Sequence, residues 1–138
     1  MKNHKSGVSL PEISIAVLIF ALCAIPLYYA IAYGSKEEIR MEKVAIANKI
    51  LESFRDEIKD LDYDTAITFA DFSDNSGLPP ETLKVLEKAK ESKEYHVSCE
   101  SEKKTEFDIE TTTFKAKVTW NAEGKDVEQL LTFVKVKR

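Results

Sequence analysis

Residues 13 to 33 carry no charged side chain. The run reads Ile-Ser-Ile-Ala-Val-Leu-Ile-Phe-Ala-Leu-Cys-Ala-Ile-Pro-Leu-Tyr-Tyr-Ala-Ile-Ala-Tyr, with Ser14 its one strongly polar residue and Pro26 its one breaker. A helix needs about 20 apolar residues to cross the hydrocarbon core of a bilayer. An ordinary cleaved secretory signal has a shorter apolar core followed by a small-residue site. A buried soluble helix would need a protein wrapped around it on all sides, and 138 residues are few for that. The run therefore reads as a membrane anchor. Lys2 and Lys5 precede it, so the positive-inside rule puts the N-terminus in the cytoplasm and the bulk of the chain outside. Tyr28, Tyr29 and Tyr33 gather at its far end like an interfacial aromatic belt.

Against this run, the averages of 43% hydrophobic and 32% charged residues mislead. Nearly every charge lies in the remaining hundred or so residues, which suffice for one small domain. Cys23 lies in the apolar run and Cys99 far beyond it, so the two cannot pair across a bilayer boundary. That leaves no disulfide framework and no four-cysteine zinc site. His4 and His96 are the only histidines.

Helical periodicity continues past the membrane. Ile39, Val44, Ala47, Ile50/Leu51, Phe54, Ile58 and Leu61 recur every three or four residues. Charged residues line the opposite face, and no Gly or Pro interrupts Ser35 to Leu61. One helix is expected from about Pro11 to Asp60, about 75 Å long at 1.5 Å per residue. Its transmembrane part covers residues 8–34 and its amphipathic part 35–61. Pro26 and Gly34 are expected to bend or locally open it, although a proline kink in a membrane helix needs no special role.

Residues 62–138 form the expected head. The stretch from 62 to 79 reads as irregular, with turn chemistry at Asp62-Tyr-Asp64 and Asp71-Phe-Ser-Asp-Asn-Ser-Gly77. Asp71, Asp74 and Asn75 are weak candidates for calcium ligands. They match no EF-hand spacing, and turn or cap roles are the preferred reading. A short helix is expected at about 80–91, with proline at its start and Leu83 and Leu86 on one side. From about 94 to 138 the period changes to two. Tyr95, Val97 and Cys99 alternate with polar residues, and Phe114, Ala116, Val118 and Trp120 share one face. Asn121-Ala-Glu-Gly124 reads as a turn and Val127 to Lys137 as a further strand. Phe107 and Ile109 have the opposite parity, which predicts a bulge or break near Thr111 to Thr113. The fold class is α+β: a long N-terminal helix packed on a small antiparallel sheet.

No catalytic motif is present, and the chain is not expected to be an enzyme. Its four glycines, at 7, 34, 77 and 124, build no phosphate loop. In a strand His96 and Cys99 face opposite sides, so they form no catalytic pair. Cys99 reads instead as a small core residue. No cofactor is expected. Without Lys2 and Lys5 the net charge falls from −4 to −6, which disfavours nucleic acid as a partner.

Glu12 sits one residue before the apolar run. A carboxylate at that edge is tolerated in the headgroup layer and suits the first turn of a helix, and Pro11 suits a helix start. Taken together, the basic leader, Gly7-Val8-Ser9-Leu10-Pro11-Glu12 and the apolar helix resemble the prepilin signal of type IV pilins and type II secretion pseudopilins. Over these first 35 residues or so, the resemblance implies a leader of residues 1–7, cut after Gly7 by prepilin peptidase. It implies methylation of the new N-terminus at Val8, and Glu12 as the glutamate used in assembly. The family more often has Phe where Val8 stands. Pro11 replaces the common Leu or Ile, as in minor pilins and pseudopilins. A Trp-ended hairpin, a polar turn and a final strand are also similar to the heads of that subgroup.

The implied partners are other pilin or pseudopilin subunits, prepilin peptidase, the inner-membrane assembly platform and, before assembly, membrane lipid. The implied location is the cytoplasmic membrane and then a pilus or periplasmic pseudopilus of a pilus, secretion or competence machine. The other reading is an uncleaved single-pass protein with a small extracytoplasmic binding or sensory domain.

Overall fold

The structure, a computed structural model, describes residues 9–137. The chain divides into two compact units between Ile39 and Arg40. Helix α1 (Leu10–Asp60) contributes to both.

In the first unit every large apolar side chain from Leu10 to Tyr33 is exposed. These side chains are uncovered among the described residues, and α1 is long and apolar enough to cross a membrane. Helix α1 is unbroken across Pro26 and Gly34, so the local opening expected there is not found. Helices tolerate a missing proline N–H when the turns on either side hold.

The second unit is the head. Here α1 buries Ala47, Ile50, Leu51, Phe54 and Ile58, the stripe expected from their spacing. Ile39 was expected on that stripe but is exposed; the covered face begins at Lys43 and Val44. The sheet has the order β1 (His96–Glu106), β2 (Ile109–Ala122), β3 (Lys125–Val136), all antiparallel. Its inner face supplies Val97, Cys99, Phe114, Ala116, Val118, Trp120 and Phe133 to the core, joined by Tyr95 just before β1. Phe54 of α1 meets Phe72 and Phe133 edge-on at 5.8 and 5.9 Å, and Phe133 stacks on Phe114 at 5.1 Å. Offset and edge-on contacts of this kind add to the area term of aromatic burial.

The polar stretch 101–106, where the apolar alternation of Tyr95, Val97 and Cys99 stops, is the second half of β1, paired residue by residue with β2. Three local expectations are corrected. No bulge occurs near Thr111 to Thr113, because the register runs unbroken from Glu106↔Ile109 to His96↔Thr119. Plain alternation along β2 puts Ile109, five residues before Phe114, on the solvent face, and Phe107 lies outside the strands in a two-residue turn with Asp108, both with positive φ. Residues 62–79 are not wholly irregular: α2 (Tyr63–Ile67) is capped by the Asp62 side chain, and Asn75–Gly77 form a 3-10 turn. Finally, α3 spans Pro80–Lys88 and stops short of 91. Glu91 has left-handed φ, and Ser92–Glu94 make a separate 3-10 turn.

Candidate functional site

The chemistry singled out in the sequence centres on the first turn of α1. Gly7 and Val8, the expected cleavage and methylation positions, lie outside the described residues. Glu12 lies within them, in the first turn and exposed. Its carboxylate accepts the Ser9 N–H at 3.2 Å and the Ser9 hydroxyl at 3.3 Å. The N–H groups of Glu12 and Ile13 donate to the Ser9 carbonyl at 3.0 and 3.2 Å. An acid three residues after a serine is the capping-box pattern, in which the acid satisfies a backbone N–H that the helix leaves unpaired. The spelling Ser9-Leu-Pro-Glu12 carried that signal, but Glu12 was read by its charge, its place in the first turn and its distance from Gly7, without Ser9.

Downstream, Ser14 returns its hydroxyl to the Leu10 carbonyl at 3.1 Å. That bond removes the one strongly polar side chain from the apolar surface. From there to Tyr33 the helix presents only apolar and aromatic groups outward, with Tyr28 and Tyr29 edge to face at 6.2 Å.

The three calcium candidates serve the head's own backbone. Asp71 accepts from Ser101 N–H at 2.7 Å and from its hydroxyl at 3.0 Å. Asp74 caps the 3-10 turn through Ser76, whose hydroxyl and N–H hold its carboxyl below the usual range. Asn75 accepts from Val97 N–H at 2.7 Å and donates to the Tyr95 carbonyl at 2.8 Å. Among the described residues no group of three His, Cys, Asp or Glu side chains is placed to hold a metal ion.

His96 is exposed and Cys99 buried, as strand alternation requires. Burial, aided by the charge of Asp71, pushes the Cys99 thiol up to about 12, so it is not a nucleophile near neutral pH. Lys43 reaches Glu94 at 2.7 Å and Glu91 at 3.4 Å. Its ammonium is raised above its ordinary value, chiefly by the Glu94 hydrogen bond. This cluster fastens the turn after α3 to α1. Next to it the Tyr95 hydroxyl is buried with no hydrogen-bond partner among the described residues.

The described arrangement therefore offers an apolar helix with one capped carboxylate at its start, and a head whose polar groups mostly bind one another. No family model, curated protein or solved structure matches the chain.

Proposed function

We propose that this chain is a minor pilin or pseudopilin, a structural subunit anchored in the cytoplasmic membrane by α1 and drawn from there into a filament. One observation carries the reading: Glu12 stands in the first turn of a helix whose next 21 residues are uncharged and outward-facing. It follows the Gly7-Val8 junction at the spacing of a prepilin signal. A long apolar N-terminal helix and a small three-stranded antiparallel sheet are the elements such subunits have.

The mechanism follows from the cost of an unpaired charge. Cleavage after Gly7 frees an amine on Val8, which is positive near neutral pH. A carboxylate entering a low-dielectric bundle of helices is costly unless paired. Glu12 of an incoming subunit would meet the Val8 amine of its neighbour, and the pair would fix axial register more than it adds net stability. The head would then choose neighbours.

The Ser9 contact favours a second reading. Capping already accounts for Glu12 within one chain, as in an uncleaved single-pass protein with an extracytoplasmic head. Intact mass decides between them, measured on protein from membranes of a cell with an active prepilin peptidase. A mass beginning at Val8, with or without one methyl, is expected. A mass retaining residues 1–7, with the peptidase active on another substrate, overturns the pilin reading.

A further inference from the structure

The two edges of the sheet are finished differently. In β1 the outward backbone groups are closed by the loop before α3. Val97 N–H goes to the Asn75 side chain, Ser101 N–H to Asp71, and Cys99 exchanges two backbone bonds with Phe72 at 2.9 and 3.1 Å. The remainder of that edge, Glu102 to Glu106, is heavily charged, which discourages pairing.

Strand β3 has neither protection. Its two-residue turn closes on the Ala122↔Lys125 pair, and Lys137 N–H donates to Glu110 at the other end. Odd-numbered residues of β3 therefore bond to β2, and even-numbered ones, 126 to 136, aim their N–H and C=O outward. None of these outward groups has a protein partner among the described residues. The strand has no proline, glycine or bulge, and Val127 to Val134 contains one charge, Glu128. Its solvent face shows Leu130, Val134 and Val136 at 55, 53 and 44% exposure.

We infer that the open edge of β3 pairs, antiparallel, with β3 of a second copy of this chain. Charge sets the direction. After Lys125 the strand is acidic, at Asp126 and Glu128, and it ends basic, at Lys135 and the following Lys137. A parallel pair in register would oppose like charges at these positions, whereas an antiparallel pair moves the acidic start of one strand away from that of the other. Charge also excludes some registers. Centring the two-fold on residue 131 or 130 places Lys125 opposite Lys137 or Lys135. Centring it on Thr132 opposes no like charges. There Thr132 faces Thr132, Leu130 faces the second copy's Val134 twice, and Gln129 faces Lys135. Apolar and Thr–Thr pairs directly opposite each other stabilise a ladder. The contact is isologous and closes as a dimer, and it does not depend on how the N-terminal helix is read. A short ladder is a small interface, so association near 100 µM, to order of magnitude, is expected.

The test uses the full chain in detergent with Cys23→Ser, which removes the exposed thiol. Light scattering should show a concentration-dependent shift from one to two copies. Thr132→Lys places two ammonium groups at the two-fold and should weaken the dimer at least tenfold, with unchanged circular dichroism. In the same background Thr132→Cys should form an intermolecular disulfide under mild oxidation, several-fold faster than Asp108→Cys at the far hairpin. A chain that stays monomeric throughout overturns the proposal. So does a dimer unchanged by Thr132→Lys, which would be held by the apolar half of α1. Equal cross-linking at positions 132 and 108 also overturns it.

Discussion

Glu57 caps a helix to which it does not belong: its carboxylate accepts the Thr82 N–H at 2.7 Å and the Thr82 hydroxyl at 2.8 Å. The Glu81 N–H adds a third bond at 3.0 Å. Pro79 at the N-cap offers no side-chain acceptor, so α3 has no cap of its own. Thr82 is fully buried, and its hydroxyl would be orphaned without Glu57. Glu57→Ala should cost about 2–3 kcal/mol, the loss of a cap plus a stranded buried donor. Glu57→Gln should cost less, because an acceptor remains. Urea unfolding followed by Trp120 fluorescence measures both; Trp120 is the only tryptophan and is buried in the head.

Gly77 is fixed by space. A Cβ there would collide with the Cβ of Phe72, so backbone must move. Phe72 packs edge-on against Phe54 and pairs with Cys99, so the disturbance should spread to the β1 edge. Gly77→Ala should destabilise the head by about 2 kcal/mol or more. Gly124→Ala is the contrast. Open space surrounds it, and only its φ of +81° opposes the change, at about 1 kcal/mol. Equal unfolding midpoints for the two variants would show that Phe72 yields freely.

Several of these features were legible in the chain and others were not, for a physical reason. Periodicity reports which side of an element is dry. It therefore located the buried stripe of α1, the alternation at Tyr95, Val97 and Cys99, and the shared face from Phe114 to Trp120. It does not report which distant group will close a polar end. Lys135 caps the C-terminus of α1, donating to the carbonyls of Ile58, Lys59 and Leu61. Thr112 is buried in β2 because its hydroxyl meets the Tyr63 hydroxyl at 2.8 Å. The partners in both contacts are far apart in sequence, and neither leaves a local signature. The turn at Phe107-Asp108 was missed because both residues take positive φ without the Asn-Gly spelling that announces such turns. At the candidate site the charge of Glu12 was legible and its local partner was overlooked.

Alkaline pH should unfold the head, and Cys99 should contribute to the slope. Its thiol titrates near 9.0 when exposed and near 12 in the fold. The folded state holds the proton more tightly. Its contribution is full below pH 9 and is lost as pH rises from 9 towards 12. Lys43 acts in the same sense: its ammonium is raised by Glu94, so its contribution fades above the ordinary lysine range. The urea midpoint should hold level up to about pH 9 and then fall. Cys99→Ala should lower the plateau, because a buried side chain is trimmed, and flatten the fall. An equally steep fall in that variant would assign the alkaline loss to other groups.

Glu12 separates the two readings of the chain, because amide and carboxylate are equal in one role and unequal in the other. As a cap, Glu12 needs only an oxygen for the Ser9 N–H, and a glutamine side chain supplies one. As an assembly residue it needs a negative charge to meet a neighbour's amine. Glu12→Gln should leave membrane insertion and head folding intact and reduce incorporation into filaments at least tenfold. Ser9→Ala removes the hydroxyl contact but keeps the Ser9 backbone donor and the Glu12 charge, so it should assemble nearly as wild type. Both are read by fractionating sheared filaments from membranes. If Glu12→Gln assembles like wild type, local capping is the whole role of this carboxylate and the paired-charge mechanism fails.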